Sequence, residues 1–164
     1  MNKLLALLRR HRDDRGMMAS LRCILVESKK QRAWPVLNRL GVDLNNELAG
    51  LVAGLYATHP EETSNGNCGT TWKMIEKKRG ERHSDDNKLT PTERRFQQLL
   101  AAEKGNELHE RVIRMVLLAK SQGVPVNYDQ LEKDLQFWND RTKTEWASAF
   151  WAPEVDAATR EDAQ

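Results

Sequence analysis

The stretch from Leu108 to Ser121, LHERVIRMVLLAKS, leaves few folds open. Placed on a helical wheel at about 100° per residue, Leu108, Val112, Ile113, Met115, Val116, Leu117, Leu118 and Ala119 cover well over half the circumference. Glu110, Arg114 and Ser121 share one narrow polar stripe, with Arg111 on its flank. A helix this apolar needs neighbours on most sides, so it belongs near the centre of a helical bundle and meets water through one slot. Arg114 must have a partner or stand in solvent, because an unpaired buried guanidinium costs several kcal/mol.

The rest of the chain keeps the same period. Residues 2–13 place Leu4, Leu5, Leu7 and Leu8 on one face, and Gly16 precedes a second short helix, MMASLRCILV. Pro35 suits the first turn of another helix, which Gly41 ends. Leu48, Leu51, Val52, Leu55 and Tyr56 have the spacing of an amphipathic helix. Gly50 and Gly54 share one of its faces, where a neighbour can come close. Pro60 and the polar run after it stop that helix; a helix carrying Trp72 and Ile75 follows, then the polar loop KKRGERHSDDNK. Thr90, Pro91 and Glu93 spell an N-cap, a first-position proline and a capping box for a helix over 91–103. Asn106 is expected to cap the next helix, which runs to Gln122 and ends at Gly123. Asn127 opens a further helix, and a last one after Asp140 ends at WASAFW. The alternation of half-buried strands is absent. The expected fold is therefore all-α, a compact bundle of about eight helices with a mobile polar loop region near residues 60–90. Residues 1–152 read as a single helical domain and 153–164 as an acidic, disordered tail.

A chain of 164 residues can bury one sizeable core and is short for two. Its net charge of +2 is near neutral, but the charge is unevenly spread. Residues 1–32 hold nine basic and three acidic side chains, a net of +6, whereas residues 153–164 hold one against four, a net of −3. The body is thus more basic than the whole. No stretch approaches the roughly 18 apolar residues of a spanning helix, and the short run Leu4–Leu8 lacks the cleavage site of a secretion signal. The chain reads as cytoplasmic, with no membrane partner.

Catalytic patterns are missing. His11, His59, His83 and His109 are scattered without metal-ligand spacing, and the neighbours in HRDDR point to different sides of a helix. SNGNCGTTWK lacks the ending of a phosphate loop. Cys23 and Cys68 stand far apart, with no zinc or disulfide pattern; Cys23, in LRCILV, is expected to be a buried, reduced core thiol. No enzyme, metal, cofactor or small-molecule ligand is implied.

A binding surface is the better reading. Arg94 and Arg95 occupy adjacent wheel positions on one helix, Lys104 sits in the turn after it, and Arg111 and Arg114 follow on the next. Arg141 and Lys143 lie near the start of the last helix, where a cation opposes the helix dipole at a cost of about 0.3–1 kcal/mol each. Ion pairing with Glu93, Glu107 and Glu110 is the plain alternative. Trp34, Trp72, Trp138, Trp146 and Trp151 could stack on bases, although four of them sit in apolar helical patterns that suit core packing. Of the neighbours Phe137 and Trp138, which span two faces, one ring is expected to be partly exposed.

RGMMASLR, RAWPVLNRLG, LVAGLYATHP, ERRFQQLLAAEK, LLAKSQGVPVNYDQLEKDLQFW and WASAFW occur in this order. Together they resemble the CasB family, the small subunit of the type I-E CRISPR surveillance complex Cascade, from about residue 15 to residue 151. The resemblance implies a non-catalytic helical subunit that binds nucleic-acid backbone without sequence specificity and stabilises the R-loop, meaning the target strand region and the displaced strand. Its implied partners are the backbone and large subunits of Cascade, a second copy of itself, guide RNA and single-stranded target DNA. Carried over by position, Arg22, Arg94, Arg95, Lys104, Arg111, Arg114, Arg141 and Lys143 match basic positions of the family pattern. The turn AAEKGNEL departs from it in carrying fewer basic residues, and the basic start Lys3 to Arg12 falls outside it. A helical adaptor with protein partners only remains the alternative.

Overall fold

Apolar periodicity becomes nine α-helices among the described residues, 3–81 and 88–153 of the computed structural model. They are α1 (Lys3–Arg10), α2 (Arg15–Arg22), α3 (Trp34–Arg39), α4 (Glu47–Thr58), α5 (Cys68–Lys78), α6 (Pro91–Leu100), α7 (Asn106–Gln122), α8 (Tyr128–Gln136) and α9 (Asp140–Trp151). Two 3-10 turns, Cys23–Leu25 and Lys30–Ala33, join α2 to α3. The only strand-like pairing among these residues is an isolated bridge between Glu62 and Val126. Residues 82–87 of the expected polar loop and 154–164 of the expected tail lie outside the described residues.

Two helices organise the core. In α4 every residue from Gly50 to Thr58 is buried, and α1, α2, α7 and α8 pack around it. Around α5 gather α6, α7 and α9, the α5–α9 contact being the most extensive. α7 touches both sets, as its wide apolar surface requires: Leu108, Val112, Met115, Val116 and Ala119 are all sealed from water.

Small residues set how closely these elements approach. A Cβ on Gly54 would run into Ile24 and Leu25, so the face shared with Gly50 receives the Cys23–Leu25 turn, a 3-10 segment rather than a helix. A Cβ on Gly69 would strike the carbonyl oxygen of Trp146, which explains why α5 and α9 can lie so near.

Several boundaries differ from the sequence reading. Asp14 caps α2 by accepting from Met17 N, so that helix begins at Arg15 and Gly16 lies inside it. α7 enters through Gly105 at φ 119°, a conformation open to glycine, and Asn106 is its first helical residue rather than its cap. α6 stops at Leu100, short of residue 103. Cys23 is only half-buried in its 3-10 turn; Cys68, capped into the first turn of α5, is the buried thiol, and burial pushes its pKa up.

Candidate nucleic-acid interface

The start of α6 is fixed by short-range chemistry. Thr90 Oγ1 accepts from Glu93 N at 3.0 Å, and Glu93 Oε1 accepts from Thr90 N at 2.8 Å, which closes the capping box. Two acids from the end of α5 and beyond hold the same turn: Thr90 Oγ1 donates to Glu76 at 2.7 Å, and Glu81 accepts from both Thr92 N and Thr92 Oγ1. Burial works to raise the Glu81 carboxyl, but the bonds from Thr92 and Arg79 outweigh it and hold the pKa below the usual range. With its start pinned, α6 turns Phe96 and Leu99 inward and Arg94, Arg95 and Gln98 outward.

Between α6 and α7 lies an open groove of about 450 Å³, lined by Trp72, Arg95, Gln98, Arg111, Arg114, Leu117, Leu118 and Ser121. Among the described residues three guanidiniums line it and no carboxylate does. Arg111 donates to Gln98 Oε1 at 3.0 Å, which fixes it across the groove. Among the described residues neither Arg95 nor Arg114 has a hydrogen-bond or ion-pair partner, so both charges stand in water. The slot read from the sequence is therefore present but wider, because Leu117, counted there among the buried residues, is 48% exposed. Solvated cations along an apolar floor can neutralise an anionic polymer, since each phosphate contact releases condensed counterions.

The other proposed residues lie elsewhere. Arg94 is exposed and donates to Leu89 O at 3.2 Å, beside the groove rather than in it. Lys104, in the turn that closes the α6–α7 pair, donates to Gln136 O at 3.0 Å. Lys143 stands 5.5 Å from the Trp138 ring centroid, and exposed Arg141 pairs with Glu145 at 3.2 Å. All three lie at or next to the α8–α9 turn that carries Phe137, the ring of the expected pair that is exposed, at 62%. Arg22 sits on α2 and donates to Ala57 O at 3.4 Å; α2 packs on α4, α3 and the 3-10 turns, so Arg22 does not join the groove.

The basic N-terminal segment is partly neutralised. Arg9 donates to Glu62 at 2.8 Å and to Asp129 at 2.7 Å, and both partners raise its pKa. The tryptophans divide as core and margin: Trp72 and Trp146 are buried and Trp138 donates to Ala102 O, while Trp34 and Trp151 are each 40% exposed, Trp151 donating to Glu93 Oε2. Trp34 lies on a second groove of about 580 Å³, where Glu27, Asp43, Glu47 and Glu110 accompany Ile24, Leu44 and Ile113. Lys30 lines it too and pairs with Glu27 at 2.8 Å, but the balance of its lining is acidic where that of the first groove is basic. Among the described residues no group of three or more His, Cys, Asp or Glu could hold a metal ion, and no helix is long and apolar enough to cross a membrane.

The family model for CRISPR-associated protein Cse2 matches residues 4–151. The chain belongs to the Cse2 family. The match begins eleven residues before the resemblance read from the motifs, so most of the basic first helix lies inside the family region. Solved structures carry the same fold. A Cse2-family protein from Thermus thermophilus aligns with TM-score 0.71 at 20% identity, covering 92% of this chain and 96% of that one. CasB from M. ruber gives 0.64 at 23% identity, covering 99% and 97%. CasB from Thermobifida fusca gives 0.65 at 20% identity, covering 92% and 94%. No curated protein sequence matches the chain.

Proposed function

We propose that this Cse2-family protein is the non-catalytic small subunit of a type I-E Cascade complex and holds nucleic-acid backbone without reading sequence. The observation that carries the reading is the α6–α7 groove, with Arg95, Arg111 and Arg114 on its lining and no carboxylate among them. In a guided complex, base pairing with the guide supplies sequence selection, so such a subunit needs only shape and charge. The strands it would hold are the target strand region and the displaced strand of the R-loop. Lys104, Arg141 and Lys143 extend the positive surface, while Arg94 flanks it; Arg22, on the α2 side, is the weakest member of the set.

The adaptor reading draws on the second groove, whose exposed Trp34 and Leu44 and four acids suit a protein neighbour. Contacts there with the backbone subunits, the large subunit or a second copy are compatible with nucleic-acid binding on the other groove. The deciding experiment is the lifetime of the R-loop in the reconstituted complex, with and without this subunit. The nucleic-acid reading expects a shorter lifetime when it is left out, and the same shortening when it is present with its groove charges reversed. Lifetimes that depend on the subunit but ignore the reversal would leave only the adaptor.

A further inference from the structure

Phe137 is the most exposed large apolar side chain among the described residues, at 62%. Burying a phenylalanine is worth about 1.5–3 kcal/mol, so the fold gains nothing by presenting this one to water. Nor is it on a loose end. Phe137 N donates to Lys133 O at 3.0 Å, and Phe137 O accepts from Thr142 Oγ1 at 2.9 Å, so both backbone groups are tied.

The next residue anchors the turn. Trp138 donates to Ala102 O at 3.1 Å, and its ring packs 4.9 Å from that of Trp146, which is sealed in the core and donates to Asp134 at 2.7 Å. Lys143 lies against the Trp138 ring and Lys104 reaches the carbonyl of Gln136, the residue before Phe137. Arg141 is four residues beyond Phe137, its Glu145 partner half-exposed; Asp140 is the other acid on that turn of α9. An exposed ring on a tied backbone thus has two cations held against its sequence neighbours, Lys104 on the Gln136 carbonyl and Lys143 on the Trp138 ring. One of them, Lys104, comes from the turn that ends the arginine groove.

Resting on the nucleic-acid reading above, we infer that Phe137 is a stacking platform for an unpaired base, with Lys104 and Lys143 meeting the phosphates on either side. The ring offers a π-face to any base, which gives affinity without sequence preference and selects single strands over a paired duplex. The substrate class of this surface is therefore unpaired nucleic acid, and the arginine groove supplies charge to the same strand.

The test uses the full chain, a labelled deoxythymidine oligomer and an abasic oligomer of equal length, followed by fluorescence anisotropy over a range of salt. Phe137→Ala is expected to weaken thymidine-oligomer binding by roughly 5- to 100-fold, leave the salt slope unchanged and leave abasic-oligomer binding unchanged. Phe137→Trp restores the loss, and the thermal midpoint stays that of the wild type because the ring is exposed. Wild-type affinity in Phe137→Ala, or an equal loss on both oligomers, would overturn the stacking role while leaving salt-dependent groove binding in place. A wild-type chain that binds neither oligomer would overturn the nucleic-acid reading and this inference together.

Discussion

Arg9 and Arg114 carry the same guanidinium into opposite surroundings. Arg9, on the first helix, is clamped between Glu62 and Asp129, from segments far along the chain. Arg114, on the central helix, faces a groove with Arg95 and Arg111 and no acid. The N-terminal segment is the more basic in sequence, with nine cations against three acids. Of those nine only Arg9 and Lys30 have a carboxylate partner among the described residues, so the contrast is between single residues: a charge already matched, as on Arg9, has less to offer a polyanion than one left in water, as on Arg114. Charge written in a sequence becomes surface potential only after the fold has assigned its partners.

Three variants test this contrast. Arg111→Glu with Arg114→Glu should have the largest effect, lowering single-strand affinity roughly 30- to 100-fold near 0.1 M salt. Thermal unfolding of that variant should change little, because Arg114 is exposed and holds no partner among the described residues, and Arg111 gives up only one exposed hydrogen bond, to Gln98. Arg9→Ala should do the reverse. It removes a two-acid network of part-exposed groups, so denaturant unfolding should show a loss of about 1 kcal/mol, with oligomer binding within twofold of wild type.

The smallest effect concerns the turn that aims Arg95. Glu81 has its pKa lowered in the folded state, with burial opposing and the bonds from Thr92 and Arg79 prevailing. Its contribution to stability is therefore present above the unfolded value of about 4.3 and is lost as pH falls through the lowered folded value. Glu81→Gln should lower the thermal midpoint slightly at neutral pH and flatten its decline as pH falls below about 4.3. A variant that declines as steeply as wild type would show that other carboxylates set the acid limit.

What could be read from the sequence was what local chemistry decides. The Thr90–Glu93 box, the left-handed Gly123 and the Asn127 cap each involve residues within a turn of one another, and the helices begin or end where they say. Gly50 and Gly54 announced a close approach through their spacing, though not that a 3-10 turn would fill it. Asp14 was legible in principle, as an N-cap acid three residues before Met17, but Gly16 drew the boundary past it. The clamp on Arg9 was not legible, because its partners lie 53 and 120 residues away. Leu117 shows the limit of the helical wheel, which ranks faces by polarity without knowing where the neighbours of α7 end. For the site, Arg95, Arg111 and Arg114 were named from their pattern and do meet in one groove; Gln98, three residues beyond Arg95 on the same face, could have been added by that spacing. The Arg141–Glu145 pair was also within reach, as an i,i+4 contact, and it leaves Arg141 less free than the groove arginines.

On the proposed function, the α6–α7 groove binds phosphates through arginines that have no carboxylate partner among the described residues. The most direct measurement is the salt dependence of single-strand binding for wild type and for the Arg111→Glu, Arg114→Glu chain, between about 50 and 300 mM salt. Wild-type affinity should fall steeply with salt, and the variant's slope should be shallower by at least about 1.4, as two lost phosphate contacts require. Equal slopes in the two proteins, or wild-type binding indifferent to salt, would contradict it.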